Sequence, residues 1–304
     1  GAGGAIVPIY TYTLDDANRA TITGYSGNAT ALYIPDEIDG HEVVAIGDSA
    51  FENRTDLRTV MIPDSVTRIN IGAFSGCINL ANITLSKKIE KIGENAFYNC
   101  DSLQSVEIPK CLNDVYARYD SIDIPNGVFN ECSNLKTIIF EEGSTVIADA
   151  LFRGCDGLES VTIPNTVTQI YGYAFADCKN LKNINISDSV TVLGENVFQN
   201  DTSITEINLP DSITALGRGV FSGCDRLKSI VIPDSVINIG ISAFSECKNL
   251  ESVTLSKGLE KIGENAFYNC DSLQSIEIPK SLKDVYATYD LSLIHISEPT
   301  RRSY

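Results

Sequence analysis

The sequence predicts an α/β solenoid, mainly β, of about ten 23-residue coils, and three observations predict it. The segment EKIGENAFYNCDSLQS stands at residues 90–105 and again, unchanged, at 260–275. Ten phenylalanines recur with eight of their nine steps equal to 23 residues, and eight of the nine cysteines follow three residues behind them. Each repeat is too short to bury a core alone, so neighbouring repeats must stack. The phenylalanines are Phe51, Phe74, Phe97, Phe129, Phe152, Phe175, Phe198, Phe221, Phe244 and Phe267.

The consensus of the repeat is L-x-x-[IV]-x-[IL]-P-x-[SG]-[VIL]-x-x-[IL]-G-x-x-A-F-x-x-C-x-x. Its first apolar alternation has period two and predicts a half-buried strand, which proline ends because proline has no N–H for a ladder. A second short alternation, such as Val236 and Ile239, leads to Gly240 at a turn. Phenylalanine and cysteine then stand at i and i+3, which predicts a short helical turn. The strands of successive coils predict a parallel sheet at a spacing of about 4.8 Å.

The chain is predicted to hold one solenoid domain over 1–290, with a lead-in coil at 10–50 and repeats at 51–290. One step of 32 residues replaces the usual 23, which indicates an insertion near 111–124. The first residue is Gly1 and the only methionine is Met61, so we expect the sequence to begin inside a longer protein, without its signal and anchor.

The last segment, 291–304, is predicted to be a non-native tail. Residues 85–120 and 255–290 differ at six of 36 positions, but after Asp290 the similarity stops and Pro299 stands where the next phenylalanine is due. The eleven residues LSLIHISEPTR resemble the translation of a transposon-end adapter used in sequencing libraries. A natural C-terminal cap, which solenoids need, is the alternative.

Composition narrows the class of partner. The chain is 43% hydrophobic and 21% charged, so it can bury a core, and its formal net charge of −17 disfavours nucleic acid and anionic membranes. It holds no apolar run of about 18 residues, so we expect no membrane insertion.

Catalytic, cofactor and metal sites are not expected. Only His41 and His295 could serve as imidazole bases, and no C-x-x-C pair or glycine-rich phosphate loop is present. The Cβ atoms of stacked cysteines would lie about 4.8 Å apart, farther than the roughly 3.8 Å that a disulfide prefers, so we expect buried free thiols. Cys111 is off-register, and Ser281 stands at the corresponding position in the second copy of the repeat. Most acidic residues stand in turns, where Asx turns explain them.

Two surfaces are candidates for binding. The outward strand positions are mostly small and polar, and either a partner or solvent could cover them. The insertion and its second copy carry tyrosines of the type enriched at interfaces, which could equally pack on the edge of the solenoid. The candidate ligand-binding residues are Tyr116, Tyr119, Tyr286 and Tyr289.

This consensus resembles the BspA-like leucine-rich repeats, a 23-residue class of bacterial and protist surface proteins, and the match runs from about residue 10 to 290. The resemblance implies a right-handed leucine-rich-repeat solenoid with a parallel sheet on its concave face. It implies a non-enzymatic cell-surface or secreted module that binds protein or glycan on a host or neighbouring cell, as in adhesion. The alternatives are a passive spacer that presents another domain and an intracellular repeat scaffold.

Overall fold

A computed structural model describes residues 9–118 and 124–286 of the chain. The tail at 291–304, Tyr119 and Tyr289 lie outside these ranges. In the described ranges every regular element is a β-strand, and most coils contribute two. The lead-in region supplies β1 (Tyr10–Leu14), β2 (Ala20–Tyr25), β3 (Ala31–Tyr33), β4 (Glu37–Ile38) and β5 (His41–Ile46). The later strands are β6 (Thr59–Met61), β7 (Arg68–Ile69), β8 (Asn82–Thr84), β9 (Lys91–Gly93), β10 (Ser105–Ile108), β11 (Asp114–Tyr116), β12 (Thr137–Phe140), β13 (Val146–Ile147), β14 (Ser160–Thr162), β15 (Gln169–Ile170), β16 (Asn183–Asn185), β17 (Val192–Leu193), β18 (Ala215–Leu216), β19 (Ser229–Val231), β20 (Asn238–Ile239), β21 (Ser252–Thr254), β22 (Lys261–Gly263) and β23 (Asp284–Tyr286).

The second strands of the coils pair in parallel within two sheets along the molecule, and the lead-in region adds the antiparallel pair β1–β2 to the first of them. One has the order β1-β2-β5-β7-β9-β11 and the other β13-β15-β17-β18-β20-β22-β23. The series from β5 to β23 marks eleven coils rather than about ten, because the lead-in region completes a coil of its own. The two sheets are separated at the insertion, which includes β11. Among the described residues β11 pairs with β9 alone, so the ladder of second strands is interrupted there.

The first strands form shorter parallel ladders on another side of the coil. They pair as β3-β6-β8, β10-β12, β14-β16 and β19-β21. β10 pairs with β12 across the insertion, so the first strands stay in register there. Residues 206–208 occupy the first-strand position between β16 and β19 but are not assigned as a strand.

The phenylalanines form one buried column. Phe51 to Phe244 are fully buried, and Phe267 packs partly buried against the same core. Successive rings stack with centroids 4.9 to 6.0 Å apart and planes within 18° of each other. The prediction of a phenylalanine column inside a solenoid is therefore confirmed.

The turn that carries each phenylalanine is not helical, so the predicted short helical turns are wrong within the described residues. In the first such turn Ser49 has a φ of 51° and Asn53 a φ of 57°, and nearly every coil repeats these two left-handed positions. A right-handed helix cannot include such residues, because they reverse the direction of the peptide groups. The chain instead makes successive tight turns, in which the N–H of Arg54 donates to the Phe51 carbonyl at 3.3 Å.

The tight turns of successive coils align their backbone N–H and carbonyl groups along the solenoid, in an arrangement called here the turn ladder. The N–H of Phe51 donates to the carbonyl of Ala73 at 2.8 Å, and that of Asn53 to Ser75 at 2.8 Å. The pattern continues to Phe244, whose N–H donates to Ala266 at 2.8 Å. The N–H groups of the turn ladder all point to the following coil.

Candidate binding surface

The first strands present two outward columns of side chains, which together form the first-strand face. In each three-residue strand the central side chain is buried or half-buried and its two neighbours face outward, because successive side chains alternate sides. Only three of these twenty side chains are charged, although the chain carries a net charge of −17. The columns comprise Thr59, Asn82, Ser105, Thr137, Ser160, Asn183, Glu206, Ser229, Ser252 and Ser275, and Met61, Thr84, Glu107, Ile139, Thr162, Asn185, Asn208, Val231, Thr254 and Glu277.

The polar side chains of the first-strand face make no hydrogen bond or ion pair with any described residue. Polar side chains elsewhere in the coil behave differently. Asn79 donates to the Thr55 carbonyl of the previous coil at 2.7 Å, and Ser102 donates to Ile78 at 2.7 Å. Five later coils repeat this bond at the same position in the repeat. Polar groups in the turns therefore hold coils together, whereas those of the first-strand face remain available to a ligand.

Exposed apolar side chains lie between the polar side chains of the second column of the first-strand face. Ile139 is 51% exposed and Val231 is 65% exposed. Near the lead-in end, Tyr33 and Met61 are directly paired neighbours on β3 and β6 and are 68% and 40% exposed. Apolar anchors within a polar surround are typical of protein-binding surfaces.

The insertion is fastened at both ends by side chains of neighbouring coils. The Glu94 carboxylate accepts from the N–H of Arg118 at 3.2 Å and from the N–H of Asn126 at 2.9 Å. The Arg153 guanidinium donates to the carbonyls of Ile124 and Pro125 at 3.4 and 3.1 Å. These contacts fix where the insertion leaves and rejoins the solenoid.

Arg153 also contacts Tyr173, which lines a small cleft beside the insertion. Its guanidinium carbon lies 5.5 Å from the centre of the Tyr173 ring, and its Nε donates to Asp177 at 3.2 Å. The cleft has a volume of about 220 Å³. It is lined by Ile124, Pro125, Asp149, Ala150, Gly172, Tyr173 and Glu195.

Two of the four candidate tyrosines lie in the described residues, on corresponding strands of the two repeat copies. The hydroxyl of Tyr116 donates to Asn70 Oδ1 at 2.9 Å, and that of Tyr286 donates to the Ile239 carbonyl at 3.2 Å. Burial raises the pKa of Tyr116 well above its ordinary value. Both rings are half-buried on the second-strand side of the coil, away from the first-strand face.

The cysteine column is built from thiols that bond to backbone. All nine cysteines are free, and the eight in the column are buried. Seven of these thiols donate to the carbonyl of a phenylalanine in the preceding coil, with Sγ–O distances of 3.1 to 3.4 Å. Burial raises the pKa of Cys77 to about 11 and that of Cys155 to about 12.

Two residues, Arg54 and Asp201, replace cysteine in this column. Arg54 donates to the carbonyls of Tyr25 and Gly27 and lies 4.9 Å from the Tyr25 ring centre, which joins the lead-in region to the first repeat. Asp201 is fully buried, and one of its oxygens accepts from the Cys178 N–H at 2.9 Å.

Residues 9–118 and 124–286 contain neither a cluster of cation ligands nor a membrane-spanning helix. No group of three or more His, Cys, Asp or Glu side chains in these ranges could hold a metal ion. The same ranges contain no helix with the length and hydropathy of a membrane span.

Comparison with solved structures gives similar repeat proteins from bacteria. A leucine rich cell surface protein from Faecalibacterium prausnitzii is 25% identical, with 95% of this chain and 96% of that chain covered and a TM-score of 0.40. A leucine-rich repeat protein from Bacteroides ovatus is 23% identical, with 93% and 99% covered and a TM-score of 0.46. The pneumococcal vaccine antigen PcpA is 20% identical, with 92% and 78% covered and a TM-score of 0.48.

No curated protein matches the sequence. Comparison with protein families does identify the family of the chain. The family described as "BspA type Leucine rich repeat region (6 copies)" matches residues 44–119, 122–247 and 214–289. These ranges span the repeats, including both copies of the duplicated segment. The chain belongs to the BspA-type leucine-rich repeat family.

Proposed function

We propose that this chain is a non-enzymatic binding module of a cell-surface or secreted protein, and that its first-strand face holds a protein or glycan partner. The observation that carries the proposal is the contrast between the two sets of polar side chains. Those in the turns bond to the preceding coil, whereas those of the first-strand face bond to no described residue. A surface of this kind satisfies its hydrogen bonds with water or with a ligand.

The shape of the first-strand face suits an extended partner. Equivalent side chains recur at the spacing of the coils, about 4.8 Å, so one partner that lies along the solenoid meets the same chemistry repeatedly. Many weak contacts of this kind add up, and Ile139 and Val231 supply apolar anchors between them. The low charge of the face favours recognition by hydrogen bonds and apolar contact over recognition by ion pairs.

Binding of the labelled chain to cultured epithelial cells and to a mixed-glycan array tests this proposal. The double variant Ile139→Lys, Val231→Lys places two cations in the face, and we expect it to weaken saturable binding by at least about tenfold, equivalent to 1.4 kcal/mol. The matched control is Ile78→Lys, Ile237→Lys, at positions 40% and 44% exposed outside the face. Equal loss in both variants, or no saturable binding by the unaltered chain, contradicts the proposal and favours a passive spacer.

We propose the insertion as a second contact region, supported by the fastening of its ends through Glu94 and Arg153. The candidate tyrosines of this contact region are Tyr116 and Tyr119 and, in the second copy of the repeat, Tyr286 and Tyr289. Replacing Tyr116 and Tyr119 with Ser should weaken cell binding more than the control Ile78→Lys, Ile237→Lys, whose positions lie outside the first-strand face. Lower thermal stability with unchanged binding would instead show that these tyrosines serve packing.

A further inference from the structure

Asp201 occupies a position built for a thiol. The flanking coils place Cys178 and Cys224 there, and their Sγ atoms donate to the carbonyls of Phe152 and Phe198 at 3.1 and 3.2 Å. Each of these carbonyls lies 26 residues before its thiol. By the same register, the acceptor expected for the side chain of Asp201 is the carbonyl of Phe175. Seven of the eight thiols of this column donate such a bond, whereas an ionised carboxylate can only accept.

The surroundings of Asp201 disfavour a negative charge. The residue is 0% exposed, Oδ1 accepts from the Cys178 N–H, and Oδ2 receives no hydrogen bond from a described group. The titratable groups that act on it are Asp177, Cys178 and Cys224, and none of these is a cation. A buried carboxylate without a cation is costly, whereas a neutral carboxyl group can donate to a carbonyl.

We propose that Asp201 is a neutral carboxylic acid in the folded protein, that its proton bonds to the Phe175 carbonyl, and that its ionisation makes this coil a pH-sensitive seam in the solenoid. Loss of the proton replaces a donor by a second acceptor opposite the carbonyl. Burial, the largest cause, also raises the pKa of Asp201 well above its ordinary value.

The seam lies in one of two described coils whose first-strand residues, 206–208 and 275–277, form no strand. The first strands on either side of 206–208, β16 and β19, pair with β14 and β21 but not with this coil, so it lacks the strand pairing that holds its neighbours in place. Glu206 and Asn208 of the first-strand face belong to it, so ionisation of Asp201 loosens the middle of that face. This last step rests on the proposed function, whereas the seam itself does not.

The direction of the pH effect follows from proton linkage. Between the pKa of the unfolded chain, about 3.9, and the higher pKa of the folded protein, the folded state binds one more proton. The stability due to Asp201 is therefore full below pH about 3.9 and is lost as pH rises through the folded pKa. Each pH unit in this window favours unfolding by about tenfold.

The test compares urea unfolding of the full chain from pH 4.5 to 8.5 with that of two variants. Asp201→Asn keeps the shape and a donor but cannot ionise, and Asp201→Cys restores the thiol column. We expect the unaltered chain to lose stability relative to both as pH rises. The matched control Asp211→Asn removes an exposed charge and should follow the unaltered chain in parallel.

Two further readouts decide the assignment. The carboxyl carbon shift of Asp201, from NMR with labelled aspartate, should report a protonated acid at pH 6, and hydrogen exchange should accelerate at 199–209 as pH rises beyond its intrinsic dependence. The proposal is overturned if the free energy of unfolding of the unaltered chain differs from that of both variants by an amount that stays constant with pH. It is also overturned if Asp201 is ionised at pH 6. If these results hold but cell binding is independent of pH, only the link to the first-strand face fails.

Discussion

The thiol of Cys77 donates a hydrogen bond to the carbonyl of Phe51, with Sγ 3.1 Å from the oxygen. The two residues belong to adjacent coils, so this bond ties each coil to the one before it. The Phe51 N–H meanwhile donates to Ala73 in the next coil at 2.8 Å. One phenylalanine therefore bonds to the following coil through both its N–H and its carbonyl, and its ring stacks in the core.

Removing a column thiol should destabilise the protein. Cys247→Ala deletes a bond of 3.1 Å to the Phe221 carbonyl and leaves a small cavity, which should lower the free energy of unfolding by about 1–2 kcal/mol. Cys111→Ala is the control, because Cys111 is off-register and half-exposed, and it should change stability by less than about 0.5 kcal/mol. Urea unfolding measures both, and equal effects would contradict a structural role for the column.

Thiol reactivity should separate Cys111 from the column. Only thiolates react readily, and burial raises the pKa of the column thiols, Cys77 to about 11 and Cys155 to about 12, so they stay protonated and shielded at pH 8. We expect one rapid equivalent with a thiol reagent in the native protein and none after Cys111→Ser. In urea, without reductant, all nine should react, and a shortfall of two or more would reveal disulfides.

At the left-handed positions of the turns, replacing a glycine should lower the stability of the protein, whereas introducing a glycine should not. Gly223 has a φ of 73°, and a Cβ there would lie 2.3 Å from Asn200 Oδ1, so Gly223→Val should cost about 2 kcal/mol or more. Ser242, with a φ of 55°, stands at a left-handed position of the next coil, and Ser242→Gly should be neutral or stabilising by up to about 1 kcal/mol. Thermal unfolding measures both. A tolerated Gly223→Val would show that the turn does not need this conformation.

Glu94 should control protease access to the insertion. Glu94→Ala removes the acceptor of the Arg118 and Asn126 N–H groups, worth about 1.4 kcal/mol, so cleavage between 118 and 126 should accelerate about tenfold. Glu142→Ala removes an exposed carboxylate without such bonds and should leave the cleavage rate unchanged. Limited proteolysis followed by mass spectrometry locates the cut. No difference between the variants would mean that Glu94 does not hold the insertion.

The period of the phenylalanines predicts the core because each ring has the same place in every coil. The i, i+3 spacing of Phe51 and Arg54, however, is shared by a helical turn and by the tight turns observed. The signal that separates them is the glycine or asparagine two residues after most of the phenylalanines, such as Asn53 and Gly76, since these residues favour left-handed φ. Glu131 and Glu246 adopt the same conformation at this position and obscure that signal, because stacking against adjacent coils overrides their local preference.

The fastening of the insertion could not be predicted from sequence. Glu94 meets Asn126 across 32 residues, and Arg153 meets Pro125 across 28, at distances fixed only when the coils stack. The break at Asp201 is visible in the sequence. Its full burial is not, because aspartate is most often exposed.

The turn ladder gives the array a direction, and this direction explains how it can carry the same sixteen residues at 90–105 and 260–275. Within the turn ladder, each coil offers backbone carbonyls to the coil before it and backbone N–H donors to the coil after it, so that coils join in one orientation. A copied unit placed in the same orientation meets matching groups on both sides wherever it lands. Duplication therefore lengthens or reshuffles such a protein without the need to design a new joint.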